Sequence, residues 1–171
     1  MDVFEEKEEK HETAPAVSVI IPTYNRAAYL QPTLMCLLHQ KLIQGVSYEI
    51  IIVDSGSDVT GVLAANFQKA YPGVIKYKKI ETSQNRSLLR NSGAELAEGE
   101  VLIFVDNDMM VPPEFIETHY NAHKETGNLV LLGKRLALME FVVSQFSYNL
   151  AEQLFPAGKH ALLPRCAGRG S

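Results

Sequence analysis

Residues 101–108 read VLIFVDND, an apolar run that ends in Asp106, Asn107 and Asp108. An apolar run of this length indicates a strand that is buried on both faces, so we expect 101–105 to be a central strand of a parallel sheet. Ligands of such sheets bind beyond the carboxyl ends of the strands. Carboxylates at this position suit Mg²⁺ or Mn²⁺. The alternative is that Asp106 caps a turn and Asp108 is solvated, since Asp-x-Asp is common by chance.

Apolar runs alternate with amphipathic segments on both sides of this strand. The alternation predicts an α/β fold with a mostly parallel sheet, flanking helices and the strand order 3-2-1-4. We expect Asn25 to cap the first helix and the lysines of the third strand to mark a sheet edge. In the third helix, Leu88, Leu89 and Leu96 are expected to face inward. The further strands are predicted at 17–21, 48–53, 74–80 and 129–132, and the helices at 25–40, 59–71, 83–98, 113–126 and 136–154.

Charge and composition divide the chain into three parts. Residues 1–16 are expected to form a disordered acidic tail, 17–135 the folded α/β domain, and 136–171 a helical region and tail. The formal net charge of -4 argues against a nucleic-acid binder. The sequence has no apolar stretch long enough for a transmembrane helix, its N-terminus does not read as a secretory signal, and its 2 cysteines lie far apart. We therefore expect a cytoplasmic protein with free thiols.

Polar residues also follow the other predicted strands. Asp54 can accept a hydrogen bond from a base N–H or close an Asx-turn. Tyr24 can stack on a planar base or pack at a rim. Arg86 and Arg90 lie four apart on one helix face, where they can meet a diphosphate or remain solvated.

Competing motifs are weaker. His119 and His123 have the spacing of a zinc-binding helix, but no third ligand is apparent, so helix packing or solvation is favoured. The sequence has no G-x-G-x-x-G, no Walker A and no G-x-S-x-G motif. Dinucleotide binding, P-loop phosphate transfer and nucleophile-elbow hydrolysis therefore have no motif support.

Three segments, in this order, resemble family 2 glycosyltransferases of the GT-A fold: VSVIIPTYNRAAYL, YEIIIVDSGSD and RSLLRNSGAELAEGEVLIFVDNDMMVPPEFI. The resemblance implies a nucleotide-diphosphate sugar donor, most often UDP-linked, with Mn²⁺ or Mg²⁺. It also implies inverting transfer to a sugar, glycan or small-molecule acceptor. The matching positions place Asp54 at the uracil, Arg90 near the base or phosphates, Asp106 at the ribose and Asp108 on the metal, with Asp106 as a second metal ligand. The remaining donor-binding positions are Pro22, Thr23, Tyr24, Arg26 and Asn107.

The chain departs from this family in two places. Many members carry a second acid where this chain has Ser55, which is a common variation. The family also places a general base, often in an acidic pair, well beyond the metal motif, and no acidic pair follows Asp108. Glu140 and Glu152 are the available candidates. We expect a short or truncated acceptor half, poor transfer by this chain alone, and self-association through the apolar residues of the last helix, Leu138, Phe141, Val142 and Phe146.

Two other function classes stay open. A truncated or degenerate nucleotide-sugar-binding protein without transferase activity would keep the donor pocket and lack the base. A nucleotidyltransferase would need a glycine- and basic-rich phosphate loop after the first strand. The segment PTYNRAAYL has no glycine and one arginine, which counts against that class.

Overall fold

The computed structural model describes residues 14–42, 46–81 and 85–133. The chain divides after Leu131 into two units, and the fold described here belongs to the first. Residues 1–13 of the predicted acidic tail and all of the predicted third part, 136–171, lie outside the described residues. These include Glu140, Glu152 and the helix predicted at 136–154. The division of the chain into three parts and the self-association surface therefore stay predictions.

Four parallel strands form one sheet in the order β3-β2-β1-β4, as predicted. They are β1 (Val17–Thr23), β2 (Tyr48–Asp54), β3 (Ile75–Lys79) and β4 (Val101–Phe104). The first two strands are buried on both faces, which is why their sequences are nearly continuous apolar runs. In the part of the sheet that the structure describes, the lysine-rich β3 lies at one edge, as expected.

Helices connect the strands and follow the last one. They are α1 (Ala27–Leu38), α2 (Thr60–Ala70), α3 (Arg86–Ala94) and α4 (Phe115–Thr126). Leu30, Leu34 and Leu37 of α1 are fully buried in the larger core, together with Ala64 of α2 and Ile116 of α4. Helix α3 packs on the opposite face of the sheet, where Leu89 joins the smaller core around Ile20, Ile51 and Val53.

The strand predicted at 101–105 is present as β4, but its predicted central position is wrong, and the strand predicted at 129–132 does not form. Within the described residues β4 pairs with β1 alone, so it is an edge of the described sheet rather than central. Its outer face carries Leu102, 39% exposed, and Phe104, 48% exposed. The apolar run reflected strong strand propensity and did not report burial on both faces. No strand forms at 129–132 in the described part of the chain.

Helix α3 also differs from the prediction. It is shorter than the predicted 83–98, and Leu88 and Leu96 are exposed while Leu89 is buried. The face that packs on the sheet is set by a close approach at a glycine: a Cβ added to Gly93 would lie 2.4 Å from Cγ2 of Ile20. The inward face therefore runs through Leu89, Ser92 and Gly93 and does not include Leu88 or Leu96.

Candidate functional site

The carboxyl ends of all four strands lie at the same end of the sheet, because the strands are parallel. We call this end the carboxyl edge of the sheet. Thr23 ends β1 and pairs in register with Asp54 at the end of β2, which pairs with Lys79 at the end of β3. Residues 105–108 continue from β4 at the same edge. The topology therefore brings the three predicted polar clusters together.

Asp54 is a fully buried carboxylate with donors on both oxygens. Its Oδ1 accepts the N–H of Gly56 at 2.7 Å, which closes the turn expected after β2. Its Oδ2 accepts the hydroxyl of Tyr77 at 2.9 Å and the ammonium of Lys79 at 2.9 Å. Burial raises the pKa of Tyr77 to about 12, helped by its hydrogen bond to Asp54 and the nearby negative charges, so this phenol remains a donor.

The end of β1 is tied to the loop after β2 through Asn25. Its φ is 51°, in the left-handed region that asparagine tolerates better than most residues. Its Oδ1 accepts the N–H groups of Ser57 at 2.6 Å and Asp58 at 3.2 Å. Asn25 thus does not cap α1, contrary to the prediction. Asp58, from the loop after β2, accepts the N–H of Ala27 at 3.1 Å instead.

Asp58 also organises the start of α2. Its Oδ1 accepts the hydroxyl of Thr60 at 2.6 Å and the N–H of Thr60 at 3.1 Å. Burial alone would raise the pKa of Asp58, but the hydrogen bonds from Thr60 and Ala27 and the charge of Lys79 outweigh it and lower that pKa. One carboxylate therefore joins the starts of two helices.

Each carboxylate of the Asp106–Asp108 segment is paired with an arginine from another element. Nη1 of Arg26 donates to Oδ2 of Asp108 at 2.9 Å, and Nη2 of Arg90 donates to Oδ1 of Asp106 at 2.7 Å. Arg26 follows β1, and Arg90 belongs to α3. All four side chains are partly exposed, so a ligand from solvent can reach them.

Among the other predicted donor-binding residues, some are buried and one is open to solvent. Asn107 donates from Nδ2 to the hydroxyl of Thr23 at 2.8 Å, and its carbonyl accepts the hydroxyl of Thr33 at 3.1 Å. These bonds fix the path of the chain between the two aspartates. Pro22 is buried within β1. Tyr24 is 41% exposed and follows directly on Thr23.

The donor set suits a divalent cation that shares its coordination with a ligand. Asp106 and Asp108 supply hard oxygens at a reachable position, and Mg²⁺ sites commonly combine one or two carboxylates with phosphates and water. The described residues hold no group of three or more His, Cys, Asp or Glu side chains that could bind a metal by themselves.

Sequence reasoning missed Lys79, Tyr77 and the bridging roles of Asn25 and Asp58. The lysines of β3 were interpreted only as a sign of an edge strand. The pairing of β2 with β3 carries the missing signal. The last residues of these two strands lie side by side, and they carry opposite charges.

A structural cluster around Glu49 lies at the other end of the sheet, near the amino ends of the strands. This side chain is 2% exposed, and its Oε1 accepts the hydroxyl of Ser18 at 2.6 Å and the N–H of Glu98 at 2.8 Å. Its Oε2 lies 2.7 Å from Nζ of Lys76. Burial alone would raise the pKa of Glu49, but the hydrogen bonds from Lys76, Ser18 and the Glu98 N–H outweigh it and lower that pKa.

The side chains of His119 and His123 contact other residues of their own helix, α4. Nδ1 of His123 lies 2.7 Å from the carbonyl of His119, and the His119 ring packs edge-on against Phe115. Burial lowers the pKa of His119, and the neighbouring His123 lowers it further. This packing agrees with the favoured interpretation of the pair.

In the part of the chain that the structure describes, no helix combines the length and hydropathy needed to cross a bilayer.

Comparison with known proteins gives a consistent result. Residues 18–156 match the model of the family described as glycosyl transferase family 2. The chain is 34% identical over 119 residues to the poly(ribitol-phosphate) beta-N-acetylglucosaminyltransferase TarP of Staphylococcus aureus (strain N315), covering 69% of this chain and 36% of TarP.

Two solved structures share the fold. S. aureus TarS 1–349 in complex with UDP-GlcNAc superposes with a TM-score of 0.56 at 26% identity, over 72% of this chain and 37% of that chain. Mannosyltransferase PcManGT from Pyrobaculum calidifontis, in complex with GDP-Man and Mn²⁺, superposes with a TM-score of 0.59 at 22% identity, over 82% of this chain and 39% of that chain. The chain thus spans well under half the length of each of these relatives.

Proposed function

Because the chain belongs to glycosyl transferase family 2, we propose that it binds a nucleoside-diphosphate sugar, with a UDP-sugar as the preferred donor, at the carboxyl edge of its sheet. The bound sugar is transferred, with inversion, to a sugar, glycan or small-molecule acceptor. TarP and TarS support the donor class, since one is named for N-acetylglucosamine transfer and the other was solved with UDP-GlcNAc.

The observation that carries this proposal is the pair of arginine–aspartate contacts at one sheet edge. Arg26 and Arg90 supply planar forks of N–H donors that suit phosphate oxygens. Asp106 and Asp108 supply the carboxylates for a divalent cation. A diphosphate with its cation is complementary to this mixed set, whereas either component alone would meet groups of its own charge.

The remaining residues have binding and positioning roles. Tyr24 offers an exposed ring on which the base stacks, and Thr23 with Asn107 holds the chain on either side of the cleft. Asp54 holds Gly56, Tyr77 and Lys79 in place beside the position proposed for the base. Arg90, released from Asp106 when the ribose hydroxyls take its place, turns to the diphosphate.

Catalysis depends on stabilising the leaving nucleoside diphosphate and deprotonating the acceptor. Asp108 and Asp106 would hold Mn²⁺ or Mg²⁺, which would supply positive charge against the negative charge that develops on the diphosphate. The acceptor hydroxyl needs a general base on the opposite side of the sugar. Glu140 and Glu152 stay the candidates for this base, and without an acidic pair after Asp108 we expect weak transfer and slow donor hydrolysis by these 171 residues.

A binding and hydrolysis screen with UDP-, GDP- and dTDP-sugars, each with and without Mn²⁺, tests the proposal. We expect saturable binding of a UDP-sugar that depends on Mn²⁺. Absence of binding to every nucleotide sugar would overturn it. Donor binding without transfer to any acceptor would favour a pure binding protein, a class that the transferase relatives do not favour.

A further inference from the structure

Within the described residues, the hydrogen-bond partners of the buried Asp54 carboxylate are groups of the protein itself. Its side chain is 0% exposed, and its two oxygens accept from Gly56, Tyr77 and Lys79. A base at this edge of the sheet therefore meets the groups that cover Asp54 before it meets the carboxylate. One of those groups must then form the hydrogen bond with the base.

Lys79 is the group that reaches the surface. Its side chain is 39% exposed, although its ammonium donates a hydrogen bond to the buried Oδ2 of Asp54. The same ammonium donates to the carbonyl of Gly56. An ammonium has three N–H donors, so two internal acceptors leave one N–H for a ligand.

The position of Lys79 relative to the cleft follows from Gly56. A Cβ added to Gly56 would lie 2.4 Å from the backbone N of Asn25, so the loop that holds Lys79 touches the residue after Tyr24. The fixed ammonium and the exposed ring of Tyr24 thus belong to the same end of the sheet. A base stacked on Tyr24 would therefore lie at the same end of the sheet as this ammonium.

We propose that Lys79 is a specificity-determining residue of the donor pocket, held by Asp54 and Gly56 so that its remaining N–H donates to a keto oxygen of the base. The interaction favours uracil and guanine, which carry a keto oxygen where cytosine and adenine carry an amino group. Asp54 then acts through Lys79 as a positioning residue. This inference rests on the proposed function, because it presumes a nucleotide in the cleft.

The test compares UDP with CDP by titration calorimetry in the presence of Mn²⁺. For the unaltered chain we expect UDP to bind at least about ten-fold more tightly than CDP, since a donor without its acceptor is left unpaired. Lys79→Met should reduce this preference to about two-fold or less, mainly by weakening UDP. Lys79→Arg, which keeps a cationic donor, should restore part of it.

Lys78→Met is the matched control, because it removes the same charge from the neighbouring position of β3 and should leave the UDP preference unchanged. Lys79→Met leaves a buried carboxylate without its cation and can fail to fold, so a ligand variant supplements it. 4-Thio-UDP, whose sulfur is a weak acceptor, should bind the unaltered chain about ten-fold more weakly than UDP.

The outcomes separate the inference from the proposed function. If the unaltered chain binds no nucleotide, the proposed function fails. If it binds UDP but binds CDP or 4-thio-UDP equally well, or if Lys79→Met keeps the full preference, the role of Lys79 is wrong and the proposed function stands.

Discussion

The guanidinium of Arg26 lies 2.9 Å from the carboxylate of Asp108, although the two residues are 82 positions apart in sequence. The contact joins the loop after β1 to the loop after β4. It supplies Asp108 with a positive partner at the position proposed for a divalent cation. A cation that binds Asp108 therefore competes with the arginine for the same carboxylate.

Arg26→Gln removes that competitor. We expect the affinity of the free chain for Mn²⁺ to rise by about two- to five-fold, since a partly exposed ion pair is worth little, while UDP binding in the presence of Mn²⁺ weakens. Free Mn²⁺ measured by electron paramagnetic resonance checks the first effect. Lys41→Gln, which breaks the exposed pair with Glu114, is the control. Unchanged Mn²⁺ affinity in Arg26→Gln would argue against Asp108 as a metal ligand.

Tyr24→Ala removes the proposed stacking surface. We expect UDP affinity to fall by about 1–3 kcal/mol, the range for loss of a base–aromatic stack, with little effect on stability because the ring is exposed. Tyr24→Phe keeps the ring and should bind like the unaltered chain. Both variants can be compared by calorimetry. Full affinity in the alanine variant would remove Tyr24 from the base pocket.

Gly56→Ala tests whether the loop after β2 shapes the site. A Cβ there would lie 2.4 Å from N and 2.5 Å from Oδ1 of Asn25, so the loop must move. We expect a loss of about 1–3 kcal/mol in the free energy of unfolding, together with weaker UDP binding.

Gly99→Ala provides a matched comparison at the other end of the sheet. Its Cβ would lie 2.7 Å from the backbone N of Ser18, so it should also destabilise the fold by about 1–3 kcal/mol. UDP affinity, measured on the folded fraction, should be kept. Equal loss of binding in both variants would mean that the effect of Gly56→Ala is global rather than local.

Glu49→Gln should destabilise the protein in a pH-dependent way. The pKa of Glu49 is lowered in the folded state, so its stabilising contribution is present above the unfolded-state pKa of about 4.3 and is lost as the pH falls through the folded-state value. At pH 7 we expect a loss of about 1.5–3 kcal/mol.

Urea unfolding at pH 7 and at pH 3.5 measures this effect. The difference between Glu49→Gln and the unaltered chain should be largest at pH 7 and should shrink at the lower pH. A difference that stays constant between the two would show that the ionised form of Glu49 is not what stabilises the fold.

Strand positions and order were predictable because the apolar runs at 17–21 and 48–53 leave few alternatives and parallel connections are constrained. The exposure of one face of β4 was not predictable. An apolar run indicates a strand, but it does not say whether Leu102 and Phe104 are covered. The packing face of α3 was also hidden, because it depends on a close contact between Gly93 and Ile20.

The candidate site shows the same division. Local sequence pointed to Asp54, Asp106 and Asp108, since each follows an apolar run. Their partners come from distant elements, and a single sequence does not report which lysine or arginine reaches which carboxylate. Asn25 was expected to cap α1 from its position alone, whereas Asp58, from the loop after β2, accepts the N–H of Ala27.

Titration calorimetry of UDP with Mn²⁺ and with a chelator tests the central claim most directly, using the unaltered chain and Asp108→Ala. The account predicts that Mn²⁺ strengthens UDP binding to the unaltered chain, because the cation joins the diphosphate to carboxylates that would otherwise repel it. Asp108→Ala should abolish this dependence on the metal. Equal UDP affinity of the unaltered chain with Mn²⁺ and with chelator would contradict the account.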